Sequence, residues 1–230
     1  MSAAARPPEG RASFLGEDVA QRQEGTSVSK FVRMAAALAA AAGAGGCAAP
    51  QAPAIYTLQA EQPAPADVSG PALVLDVAPV ALPERLQRRQ IVLREDGAQV
   101  QMLDRHRWSA PLGDELHDAL SSALQARLHA VDAAKAGLAG KAAYRVNVEF
   151  SRLDAKQGGA VRAAVSWSVR PLQGGRALVC LGTFEQAAAG GSVADVVVAH
   201  QGMLGRVADA VAASVRAAGG SGVTPNCSPA

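Results

Sequence analysis

Residues 144–150 read YRVNVEF and residues 161–169 read VRAAVSWSV. In the first run Tyr144, Val146, Val148 and Phe150 alternate with Arg145, Asn147 and Glu149. In the second, Val161, Ala163, Val165, Trp167 and Val169 keep the same period of two. Successive side chains of a strand point to opposite faces, so each run predicts a strand with one buried face. Gln173-Gly174-Gly175 turns the chain and Arg176–Gln186 returns as a third strand, which makes an antiparallel meander.

Outward from the meander the period changes. Leu116, Leu120, Leu124 and Leu128 recur every four positions, widened by Ala119 and Ala123, and predict a helix over 113–131 with Asp114 capping its start. Asp132–Lys141 then reads as a loop or frayed helix end. Beyond the meander, Ser192-x-x-Asp195 is a start signal for a last helix whose buried side carries Val196, His200, Met203, Val207 and Val211, and Gly219-Gly220 ends it. Toward the N-terminus, Ile55–Leu58 reads as an edge strand followed by a Pro-rich loop, and Ala72–Val77 as a central strand. A helical turn starts at Pro83, and a hairpin joins Gln90–Leu93 to Gln99–Leu103 through Glu95-Asp96-Gly97. The order of strands, helix, strands, helix predicts an α+β (mixed α/β) single domain, one mixed β-sheet with two main helices packed on it.

The leader decides where this domain resides. Lys30 and Arg33 precede an uncharged run from Met34 to Ala44, and small residues lead to Cys47. Those 11 residues fall short of the roughly 20 that a helix needs to span a bilayer, so the segment reads as a removable export signal. Ala44-Gly45-Gly46-Cys47 resembles a bacterial lipobox, with Ala44 where a branched residue is usual, and makes Cys47 the lipidated first residue of the mature chain. Ala48, not Asp, follows the cysteine, which by the rule for lipoproteins as a class favours the outer membrane. Residues 1–27 lack apolar periodicity and read as an extension from a mis-assigned start; 28–46 are the signal, 47–54 the lipidated cysteine and tether, and 55–230 the periplasmic domain. The tether 48–54 reaches at most about 25 Å when extended.

Composition narrows the function. Cleavage before Cys47 leaves 184 residues with 17 basic and 16 acidic side chains, a balance that gives no reason to expect a nucleic-acid partner. Aromatic residues are 3% of the chain, so the core rests on Ala, Val and Leu with Trp108 and Trp167 as large anchors. With Cys47 committed to lipid, Cys180 and Cys227 remain in an oxidising compartment. Either they form a disulfide, or Cys180 is a buried strand thiol and Cys227 belongs to a loose tail.

Chemistry-bearing patterns are absent. His117 and His129 lie 12 apart on the first helix, not at a ligating i, i+4 spacing, and His200 sits among apolar residues, so no metal or cofactor is expected. Ser109 and Ser121 lack a nucleophile-elbow context, and the glycine pairs lack the Lys and Ser/Thr of a phosphate loop. A cationic segment stands out instead. Arg85, Arg88, Arg89 and Arg94, then Arg105, His106 and Arg107, surround the first hairpin. Arginine suits bidentate contact with carboxylate or phosphate, so this reads as a surface for an acidic partner or lipid head groups. The alternative is a solvated face bridged to Glu84, Glu95, Asp96 and Asp104, with Trp108 in the core.

Here the chain resembles a family. Tyr56-Thr57-Leu58, then residues 82–92, LPERLQRRQIV, then residues 107–112, RWSAPL, are similar in order and spacing to the signature of PqiC-type auxiliary lipoproteins of ABC transport systems. Gln87 stands where that pattern has Asp, Arg89 where it has Pro, and Ser109-Ala110 where it has Ala-Glu. The resemblance implies a non-enzymatic outer-membrane lipoprotein with a fold like the anticodon-binding-domain type. It also implies work beside an MCE-domain protein that moves lipids between the membranes, with assembly into a ring of identical subunits. Arg85, Arg88 and Arg107 match the motif and, with Trp108, are the candidates for structural or partner contact. A periplasmic scaffold for cell-wall or envelope assembly and a lipid or ester hydrolase are the readings from other classes.

Overall fold

The computed structural model describes residues 52–59, 72–138, 140–220 and 227–229. The proposed start extension, the export signal, Cys47 and most of the tether lie outside the described residues. Ala52–Ala230 form one compact unit.

Among the described residues, nine strands and two helices follow in order. They are β1 (Ala54–Tyr56), β2 (Leu73–Val77), β3 (Gln90–Arg94), β4 (Val100–Trp108), α1 (Leu112–Leu128), β5 (Ala130–Asp132), β6 (Tyr144–Ala155), β7 (Ala160–Pro171), β8 (Leu178–Ala187), α2 (Val193–Ala218) and β9 (Cys227–Pro229). A short 3-10 turn, Glu84–Leu86, precedes β3. The meander β6-β7-β8 is antiparallel, with Val148 opposite Trp167 and Trp167 opposite Cys180. β2 runs parallel to both β5 and β6, and the six-stranded order is β5-β2-β6-β7-β8-β9.

Where one mixed sheet was expected, the described residues form two. β1, β4 and β3 make a separate three-stranded sheet in which β1 is parallel to β4 and the β3–β4 hairpin is antiparallel. The physical reason is pairing across distance: Tyr56 finds its partner at Trp108, and nothing local in either segment specifies that register.

Two local features also depart from the periodicity. Helix α1 begins at Leu112 with Pro111 as its cap, so Asp114 is a first-turn acid and not the capping side chain. Its other end is His129, whose φ of 50° breaks the helix and leaves Ala130–Asp132 to join the sheet beside β2. In β6 the register shifts between Phe150 and Arg152, a bulge that inverts the alternation. Val146, Val148 and Phe150 are buried before it, Leu153 and Ala155 after it.

Both helices pack on the larger sheet and on each other. Leu116, Leu120, Leu124, Val196, Met203, Val207 and Val211 are fully buried. Arg127 ties the helices together by an ion pair to Asp209 at 2.6 Å. The α2 start is a reciprocal capping box: the Ser192 hydroxyl accepts from the Asp195 N–H at 3.1 Å, and the Asp195 carboxylate accepts from the Ser192 N–H at 2.9 Å. Hydrogen bonds from Ser192 hold the Asp195 carboxyl below its ordinary range. At the C-terminal side, Cys227 lies opposite Cys180 in the β8–β9 pair and a disulfide joins them.

Candidate functional site

The first hairpin is covered on one face only. Ile91 and Leu93 are buried in the core, each 1% exposed, while Val92, Arg94, Val100 and Met102 occupy the opposite face, with Val92 across from Met102 and Arg94 across from Val100. That second face forms one wall of a groove of about 190 Å³. Leu153, Asp154 and Ala155, the stretch of β6 after its bulge, form the facing wall. Arg85, Leu86 and Arg88, from the 3-10 turn and the residues after it, close the end. Val100 and Met102 are 44% and 52% exposed, so the mouth is apolar and open to solvent.

Three arginines surround this lining, and they differ in what holds them. Arg94 forms an ion pair with Asp154, which also accepts from Arg152. These partners hold the Asp154 carboxyl below its ordinary range although burial alone would raise it. Arg85 is exposed and, among the described residues, has no hydrogen bond or ion pair. Arg88 is half-buried: one terminal guanidinium nitrogen donates to the Met102 thioether at 2.7 Å, while its Nε is buried without an acceptor among the described residues. Thioether sulfur is a weak acceptor, and a buried N–H left unpaired costs about 1–3 kcal/mol, more in a charged group.

The other candidates are placed elsewhere. Trp108, 2% exposed, is core and meets His200 edge-on at 5.4 Å between ring centres. Arg107 donates through Nε to the backbone carbonyl of Asp104 at 2.9 Å. Of the groups in the alternative reading of a bridged face, Arg94 pairs with Asp154 and Asp96 with Lys156 at 2.9 Å, both over long range. Cys180 and Cys227 lie beside Ser214, whose hydroxyl also accepts from the Trp167 indole at 3.0 Å.

Sequence reasoning missed the buried carboxylate at Glu115, 5% exposed. One of its oxygens accepts from the Thr57 hydroxyl at 2.9 Å and the Leu58 N–H at 2.7 Å, the other from the Ser109 hydroxyl and the Ala110 N–H at 3.0 Å. It clips the segment after β1 to the start of α1. Among the described residues no group of His, Cys, Asp and Glu is arranged to hold a metal, and no helix is long and apolar enough to cross a membrane.

His200 is a packing residue with a pH signature. Its Nδ1–H donates to the Val196 carbonyl at 2.8 Å, and burial pushes its pKa down to about 4. An unfolded chain protonates this ring near pH 6.5. Between those values the unfolded state binds a proton that the folded state does not, so stability falls as pH drops from about 6.5 toward 4, by about 3 kcal/mol in full. Denaturant midpoints measured across that window should show this slope, and His200→Leu should flatten it. Equal slopes in both proteins would contradict the assignment.

Comparison with known proteins agrees with this architecture. The family described as ABC-type transport auxiliary lipoprotein component matches residues 56–212. No curated protein matches the chain. Among solved structures, the crystal structure of an uncharacterized protein is similar at 18% identity and a TM-score of 0.57, covering 70% of this chain and 97% of that one. Protein XCC0632 from Xanthomonas campestris is similar at 17% identity and a TM-score of 0.55, covering 69% of this chain and 92% of its own. At these identities the likeness concerns the fold. The match through residues 56–212 spans most of both sheets and most of α2, and the chain belongs to the ABC-type transport auxiliary lipoprotein family.

Proposed function

We propose that the chain is an outer-membrane-anchored periplasmic lipoprotein that serves, without catalysis, as the docking component of an ABC/MCE-type system moving lipids between the two membranes. The observation that carries this is family membership over residues 56–212, which makes the chain an auxiliary lipoprotein of ABC-type transport. The finer reading is supported by the PqiC-like motifs at Tyr56–Leu58, residues 82–92 and residues 107–112. Lys30 to Cys47 supports export and lipidation, and Ala48 supports retention at the outer membrane. A likeness to the anticodon-binding-domain type belongs to the same proposal.

Self-association fits the open face of the larger sheet. Leu181, 74% exposed, and Val179, 41% exposed, stand opposite Ser166 and Ser168 there, so this face carries two solvent-exposed apolar side chains. Arg85 and Arg107 are the contacts proposed for the MCE partner. Affinity capture of the full chain after crosslinking in the producing bacterium should recover an MCE-domain protein, and the Arg85→Glu, Arg107→Glu double variant should reduce that recovery severalfold. Recovery of a wall synthase with no MCE-domain protein would overturn the proposal in favour of a scaffold.

A further inference from the structure

We infer that the groove between the β3–β4 hairpin and the end of β6 binds the head-proximal part of an anionic phospholipid. The phosphate sits on the guanidinium of Arg88, and the first methylenes lie against Val92, Met102 and Leu153. This rests on the lipid-transport reading for its source of ligand, and on the groove for its chemistry.

Donors and acceptors in the groove are unequal. Arg88 offers a buried Nε–H with no acceptor and a terminal N–H that meets only a thioether, and Arg85 beside it has no partner among the described residues. The one carboxylate of the lining, Asp154, already accepts from Arg94 and Arg152. What remains is two uncompensated cations beside an apolar wall. A phosphodiester is an acceptor-only anion, and guanidinium is suited to bind it through paired N–H donors. Its attached hydrocarbon needs no hydrogen bonds.

A peptide fits less well. Each of its backbone N–H groups would need an acceptor, and leaving one buried and unpaired is costly. Among the described residues, the lining's only carboxylate is occupied. Size points the same way: about 190 Å³ is a little more than the roughly 150 Å³ cavity that admits benzene, and less than the roughly 300 Å³ or more of a site enclosing a whole small molecule. The groove therefore takes the start of one acyl chain and leaves the rest outside its open mouth.

The test is native mass spectrometry of the purified full chain in an uncharged detergent, titrated with lysophosphatidylglycerol, which carries one acyl chain and one phosphodiester. One adduct per chain is expected, weakened about tenfold or more in Arg88→Gln. Lysophosphatidylcholine, whose head carries a compensating cation, should bind severalfold more weakly, and millimolar inorganic phosphate alone should not displace the lipid. Met102→Glu, at a half-exposed position, places an anion beside Arg88 that competes for its donors and should abolish the adduct, with a melting temperature no lower than the parent's. It serves as the deciding variant should Arg88→Gln fail to fold. Equal binding by parent and variants, no saturable adduct, or preferential uptake of a peptide ending in an apolar residue would each overturn the inference. Loss of the groove's ligand with MCE capture intact removes this site only. Loss of MCE capture with lipid binding intact removes the transport reading only.

Discussion

Replacing Glu115 by alanine lowers the stability of the domain by about 4 kcal/mol, roughly 8 to 16 °C in melting temperature for a domain of this size. The carboxylate is 5% exposed and accepts four hydrogen bonds, two of them from backbone N–H groups that cannot turn away, those of Leu58 and Ala110. Alanine leaves these donors, buried at Leu58 and half-buried at Ala110, unpaired at about 1–3 kcal/mol each and opens a gap where the side chain was. Glutamine is the sharper probe. Each carboxylate oxygen faces one backbone N–H, so whichever way the substituted amide is turned, its NH₂ confronts a donor. Glu115→Gln should therefore cost about 2 kcal/mol despite its matching shape. Circular dichroism melts of both variants read the effect directly, and melts within about 2 °C of the parent would show that the clip is not what joins β1 to α1.

The second large effect lies at the other end of the chain. Cys227→Ala should remove about 4 kcal/mol, again roughly 8 to 16 °C, because the Cys180–Cys227 link spans 47 positions and restricts the unfolded chain over that loop. The folded side of the balance changes less, since Cys180 is 1% exposed and keeps the Ser214 hydroxyl beside it. Reductant should lower the melting temperature of the parent by a similar amount and leave Cys227→Ala unmoved. A parent insensitive to reductant, with a variant melting at the same temperature, would contradict the role of the link.

The parts of the fold legible in the sequence are those whose signal is local. Period-two runs such as Tyr144–Phe150 and Val161–Val169, the four-residue leucine spacing of α1 and the Ser192/Asp195 box each specify an element within a few residues. What escaped depends on partners far along the chain. The three-residue strand β5 is too short for any period and exists because Leu73–Leu75 lie beside it, while β1 was legible as a strand but its partner at Trp108 was not. The division into two sheets follows from the same distant pairings. Among the site residues, the arginine cluster was visible as composition, but which of its members lack partners was not. Arg94 is held by Asp154, 60 positions away, while Arg88 meets the Met102 sulfur and, among the described residues, no carboxylate. Glu115 was invisible for the same reason, because two of its four donors come from Thr57 and Leu58.

Anchoring at Cys47 is the claim on which the placement of everything else depends. Metabolic labelling with palmitate in a Gram-negative host, followed by membrane sedimentation of the full chain, tests it most directly. The parent should take up label and sediment with outer membranes, whereas Cys47→Ser should lose both properties while the folded domain persists in soluble form. A Cys47→Ser chain that is labelled and sediments like its parent would contradict the account.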